Sequence, residues 1–184
     1  MNKQQTKIKM PLTRAAPLAE KIKTVLAPAC VRIEIAGSIR RMQQPIGDIE
    51  IVCIPKIAPD LWGDPYGDSK LEILLDYLLA QGRLTPGGKA GAKYKKFSIP
   101  QADGIHLDLF ITTAPKWGYQ FAIRTGSAAF SKQIVTPRRH GGFLPGNIRV
   151  SDSQFWEGGQ VLDTSEERAV LELCGGWVEP RDRV

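Results

Sequence analysis

Residues 37 to 50 read Gly-Ser-Ile-Arg-Arg-Met-Gln-Gln-Pro-Ile-Gly-Asp-Ile-Glu, and the rest of the chain is read outward from them. Side chains at i and i+2 of a β-strand share a face, so Asp48 and Glu50 point one way while Ile49 and Ile51 point the other. Two carboxylates side by side repel each other, which raises their proton affinity unless a cation lies between them. Hard divalent cations prefer oxygen ligands, so Mg²⁺ is the natural counter-charge. Ahead of the pair, the apolar run Val31 to Ala36 predicts a strand ending at Gly37 and Ser38 in a tight turn whose backbone N–H groups hold phosphate. Alternating acids also mark the wet face of a half-buried sheet. Here the preceding Gly-Ser and the paired arginines Arg40 and Arg41 argue for a site instead.

A third acid comes from further along. Ile105 to Thr112 reads as a strand with His106, Asp108 and Phe110 on one face and Leu107, Leu109 and Ile111 on the other, leaving Asp108 among apolar neighbours. Such an acid needs a partner, and Asp48, Glu50 and Asp108 together make a carboxylate triad from adjacent strands. His106 is expected to hydrogen-bond Asp108 from behind, with metal ligation as the alternative.

Around these strands the pattern predicts a helix from Thr13, with Pro17 in its first turn and Leu18, Ile22, Val25 and Leu26 facing a core, ended by Ala27-Pro28. The second strand runs Asp48 to Ile54, and a Pro-, Gly- and Asp-rich loop covers Pro59 to Asp68. Ser69 and Glu72 form a capping box for a helix whose stripe Leu71, Leu74, Leu75, Leu78 and Leu79 packs on a sheet, and Gly82 closes it. Residues 84 to 100 predict a β-hairpin with a basic edge carrying Lys93, Lys95 and Lys96. After Trp117-Gly118 a short strand Tyr119 to Ile123 is expected, then a helix from Ser127 to about Thr136. Small β elements follow, and Thr164 with Glu167 opens a last helix that Gly175-Gly176 ends.

A chain of 184 residues carries one good core, or one core with a small appended unit. With 25 Lys and Arg against 19 Asp and Glu, its net charge of +6 favours a polyanionic partner. Cys30, Cys53 and Cys174 are too few and too scattered for a disulfide framework or a zinc site. No apolar run is long enough to span a membrane, and residues 1 to 10 read as a disordered basic leader without the apolar centre of a signal peptide. An intracellular, cytoplasmic setting, or wherever DNA is held, is the expectation.

Four blocks agree in order and spacing. They are Gly-Ser-x-Arg-Arg with Gly-Asp-x-Glu; His106-Leu-Asp-Leu-Phe110; Trp117-Gly118 followed by Arg124-Thr-Gly-Ser-Ala-Ala-Phe130; and the ending Gly176-Trp-Val-Glu-Pro-Arg-Asp-Arg183. They resemble the nucleotidyltransferase superfamily and, within it, the polymerase beta-like enzymes of the DNA polymerase X family. The resemblance implies an α+β fold: a nucleotidyltransferase palm over residues 11–137, with a mixed sheet flanked by helices, and a small α/β thumb over 138–184. It implies two Mg²⁺ ions, with Mn²⁺ as substitute, held by Asp48, Glu50 and Asp108. Ser38 and Arg41 would grip an incoming deoxynucleoside triphosphate beside Gly37, with Gly47 allowing close approach. Thr125, Gly126 and Ser127 would line its sugar, with a cis peptide between Gly126 and Ser127.

The implied activity is template-directed addition of deoxynucleotides to the 3′ end of primer-template or gapped DNA, as distributive gap filling in repair by a monomer. The rivals are transfer to RNA, a protein or a small molecule, and an inactive DNA-binding module with Glu50 as its lesion. The chain departs from the family at Glu50, where Asp is usual, and at Ile123-Arg124, where aromatics are usual. It also departs at His106, where an arginine is usual, and at Ala128, Ser131 and Val135, where polar contact residues are common. No amino-terminal lyase domain or helix-hairpin-helix module is expected ahead of the palm, and lyase activity is expected to be absent; Arg14 in the first helix is a candidate phosphate contact.

Overall fold

The computed structural model describes residues 8–57 and 69–184, and the expected loop Pro59 to Asp68 and most of the leader lie outside them. The chain forms a mixed α+β fold around a five-stranded sheet. Helix α1 (Leu12–Leu26) leads into β1 (Cys30–Ile35), a one-turn helix α2 (Gly37–Arg40) and β2 (Asp48–Pro55). Helix α3 (Lys70–Ala80), the hairpin β3 (Thr85–Ala90) and β4 (Tyr94–Ile99), and β5 (Ile105–Ile111) complete the sheet. Its order is β1-β2-β5-β4-β3, with β2 and β5 parallel and the other pairs antiparallel.

Alternation decides which face each strand buries. Ile49, Ile51 and Cys53 of β2 and Ile105, Leu107 and Leu109 of β5 point into one core with Ala15, Ala19 and Leu26 of α1 and Leu71, Leu75 and Leu78 of α3. Ser69 caps α3, its hydroxyl accepting from the Glu72 N–H at 3.4 Å. The helix ends as Gly82 (φ 64°) turns left-handed and the N–H groups of Gly82 and Arg83 return to the carbonyls of Leu79 and Leu78. Three details of this layer differ from expectation. Pro17 sits in the second turn of α1, Val25 is exposed, and Met10 at the end of the leader is buried, its N–H and C=O both paired with Ile46 at 2.8 Å.

The basic-edge expectation fails on topology. The lysines lie on or beside β4, which is interior, and β3 is the edge. Lys95 pairs with Glu72 (3.1 Å), Lys96 approaches Asp108 (3.8 Å) and Lys93 reaches Asp152 (3.4 Å).

Helix α4 (Trp117–Thr125) and α5 (Ala128–Val135) follow, then a second sheet of β6 (Ile148–Ser151), β7 (Gln154–Glu157) and β8 (Gln160–Val161), and helix α6 (Glu167–Leu173). The expected strand Tyr119 to Ile123 is therefore helix: Trp117, Phe121, Ala122 and Thr125 bury one side at helical spacing. Trp117 and Phe121 join Ala36, Val52 and Phe110 on the second face of the main sheet. Gly118 is required there, because a Cβ would stand 2.3 Å from the Thr164 carbonyl oxygen. A separate core gathers Phe130, Ile134, Leu144, Phe155, Val170 and Leu171.

Ser127 caps α5 by accepting from the Phe130 N–H (3.1 Å). Thr164 does not cap α6; the N-cap is Glu166, whose carboxylate accepts from Arg32 and makes no cap bond, while Glu167 accepts from Arg40 and Arg183. Among the described residues the cis peptide is Gln44–Pro45, so the expected cis bond at Gly126–Ser127 is trans. No described helix is long and apolar enough to cross a membrane.

Candidate functional site

On the second face of the sheet, Val52 and Phe110 lie in the core with α4, and earlier in each strand the same face turns acidic. Glu50 stands in register with Asp108 across the parallel pair β2 and β5, and Asp48 lies opposite His106. The triad predicted from alternation thus comes from two adjacent strands.

The segment before β2 is built around Glu50. The Ala36 N–H donates to the Glu50 carbonyl at 2.9 Å, and Gly37 then takes φ 63°. A Cβ on Gly37 would stand 1.8 Å from Glu50 Oε2, so glycine serves here both for its left-handed backbone and for the room it leaves the carboxylate. Gly37, Ser38 and Arg40 form the single turn of α2 rather than an open turn, with Arg41 as its C-cap. Gly47 directly precedes β2 and is half-buried.

Burial, and then the charges of Asp48 and Asp108, push the Glu50 carboxyl from 4.5 up to about 7, while Arg124 and Arg41 pull the other way. Asp108 is not isolated, as the sequence suggested. It accepts the Tyr94 hydroxyl at 2.9 Å, and Lys96 approaches to 3.8 Å. Both contacts use Oδ1, which leaves Oδ2 of Asp108 without either. His106 does not support Asp108: its Nδ1 is buried without a hydrogen-bond partner. Nothing in the sequence singled out Tyr94, because its position against Asp108 depends on the β4–β5 register, which pairs Tyr94 with Phe110 and Lys96 with Asp108.

The arginines divide the work. Arg40 is structural: its guanidinium lies 4.0 Å from the Phe121 ring centroid, donates to Thr125 Oγ1 at 2.6 Å and forks onto Glu167 at 2.6 and 2.7 Å. Arg41 donates to the Thr125 carbonyl at 2.6 Å, and its buried Nε has no partner. Thr125 is fully buried with both oxygens engaged, so it does not line a sugar as expected; Gly126 and Ser127 are half-buried, and Ser127 is occupied as the α5 cap. The charge-assisted contacts of Arg40 and Arg41 lock α2 to the end of α4.

The donor chemistry fits a hard divalent cation: the charges of Asp48 and Asp108 raise the proton affinity of Glu50, and all three side chains offer carboxylate oxygens. Their present positions are not a finished cage. Among the described residues no group of three or more His, Cys, Asp or Glu side chains is placed to hold a metal ion. An apolar groove of about 430 Å³ lies on the opposite face of the sheet, lined by Ile22, Leu78 and Leu107, and has no part in the carboxylate chemistry. A comparison with models of known protein families finds no match, and a comparison with curated proteins finds none either.

The Glu50 environment gives a stability prediction. The folded protein holds a proton on Glu50 up to about pH 7, while the unfolded chain releases it near 4.5. The folded state therefore binds more protons between those values, and without metal its stability falls as pH rises from 4.5 to about 7, by on the order of 3 kcal/mol. Glu50→Gln is expected to flatten that slope and to melt above the parent protein at pH 8 in EDTA. Melting curves at pH 5 and 8 check this; equal slopes in the two proteins would remove the strain assigned to Glu50.

Proposed function

We propose that the chain is a metal-dependent nucleotidyltransferase, and specifically a template-directed DNA polymerase that adds deoxynucleotides to a DNA 3′ end, as in gap filling during repair. The observation that carries this reading is the register of Glu50 with Asp108 beside Asp48, three mutually repelling carboxylates on one sheet face with Arg41 nearby. The choice of DNA as substrate rests on the motif resemblance to the DNA polymerase X family and on the +6 charge.

Asp48, Glu50 and Asp108 would hold Mg²⁺ or Mn²⁺, which when bound supplies activation of the 3′-hydroxyl and neutralisation of the leaving pyrophosphate. The chain's own groups supply the rest. Glu50 gives up the proton it shares with solvent near neutral pH, so cation binding releases protons. Arg41, tied through one nitrogen to the Thr125 carbonyl, keeps a buried Nε–H for a phosphate oxygen. Gly37 leaves space at Glu50 that any side chain would fill.

Extension of a labelled DNA primer by purified protein with Mg²⁺, with and without a complementary template, tests the proposal. Extension that follows the template supports it. Extension without template, or transfer only to RNA or protein, assigns a sister activity. No transfer with any triphosphate, Mg²⁺ or Mn²⁺ overturns it.

A further inference from the structure

The last turn of α4 offers the carboxylate face a side chain that the burial of Thr125 brings to the fore. Thr125 points into the core, so the residue beside it, Arg124, is half-buried and packs its guanidinium 4.0 Å from the centroid of Phe110, which shares a face with Asp108 on β5. From its seat against Phe110 on β5, the charge of Arg124 is felt by Glu50 on β2 and by Tyr94 on β4. Its Nε is buried without a hydrogen-bond partner. A guanidinium held against an aromatic ring is braced there, and its planar fork of donors matches two oxygens of a phosphate.

We propose that Arg124 is a phosphate-binding residue of this site, a second guanidinium beside Arg41 that selects a polyphosphate ligand over a neutral nucleoside. This rests on the reading of the site as one that takes a nucleoside triphosphate. The bland alternative is that Arg124 only offsets the charge of Glu50. A counter-charge to Glu50 leaves phosphate affinity nearly untouched, whereas a phosphate contact is lost when the fork is removed.

The test is equilibrium binding without turnover, with dATP, inorganic pyrophosphate and deoxyadenosine as probes, in Mg²⁺, on the wild type and on R124Q and R124K, each first shown to melt cooperatively. R124Q is expected to bind dATP and pyrophosphate on the order of tenfold more weakly or worse, with deoxyadenosine unchanged. R124K keeps the charge and the stem but lacks the fork, so it is expected to recover only part of the loss, and it carries the test alone if R124Q does not fold. Binding of dATP by either variant within twofold of the wild type overturns the inference and leaves the triphosphate site standing. A wild type that binds neither dATP nor pyrophosphate overturns the triphosphate reading itself, and this inference with it.

Discussion

Glu167→Ala is expected to lower the unfolding free energy by about 3 to 5 kcal/mol, since it strands one buried and one half-buried cation, a large share of what holds an ordinary domain folded. Glu167 is nearly buried and receives Arg40 through two nitrogens at 2.6 and 2.7 Å and Arg183 through one at 2.6 Å. Arg183 is fully buried, and its Nη2 already lacks a partner, so losing Glu167 leaves it without its carboxylate. The neighbouring Glu166 makes a fork of similar length onto Arg32, at 2.6 and 2.8 Å, but Glu166 is exposed and Arg32 only half-buried. Glu166→Ala should therefore change stability by about 1 kcal/mol or less. Urea unfolding of the two variants at pH 7 checks the contrast, and similar midpoints would mean the buried triad contributes no more than a surface pair.

The same triad has a pH signature. Burial alone would raise the Glu167 carboxyl, but the hydrogen bonds and charges of Arg40 and Arg183 outweigh it and hold the group below 4.5. A depressed folded-state value contributes stability that is present above the unfolded value and lost as pH falls through the folded one. The wild type should thus lose this contribution below about pH 4.5, and the alanine variant should lack that part of its acid limb.

The residues that could be found from the sequence are those whose placement depends on local periodicity. Period-2 alternation put Asp48, Glu50 and Asp108 on one face, and β2 and β5 keep it because Ile49, Ile51, Leu107 and Leu109 must all enter one core. The cap at Ser69 and the start of α5 at Ser127 were legible for the same local reason. What failed was tertiary. Tyr119 to Ile123 has strand-like residues after an apparent breaker, Gly118, and only the packing of α4 against the Thr164–Glu166 backbone explains why a glycine sits in a helix. The lysines of β4 looked like an edge because a hairpin does not reveal which of its strands pairs onward. Glu167 looked like half a capping box because its true partners lie 127 residues before it and 16 residues after it. Tyr94 and the burial of Thr125 depend on register and helix docking, which no single stretch of sequence encodes.

Asp108→Asn is expected to abolish the proposed nucleotidyl transfer while leaving the metal-free protein as stable as the wild type or more so. The loss should be at least about 10²- to 10³-fold, the scale of removing one preorganised charge contact to a transition state. The substitution keeps shape and still offers an oxygen to the Tyr94 hydroxyl, whose 2.9 Å bond to Asp108 is the main packing constraint on this side chain. It removes one of the two charges that, with burial, lift Glu50 to about 7, so Glu50 falls back toward 4.5 and the folded state loses less stability above neutral pH. Activity and stability therefore move in opposite directions, as they should where repelling carboxylates are kept for function. Primer extension and melting in EDTA at pH 8, measured on the same preparation, check both halves. A variant that loses activity only because it unfolds would show Asp108 to be structural, and one that keeps full activity would remove it from the site.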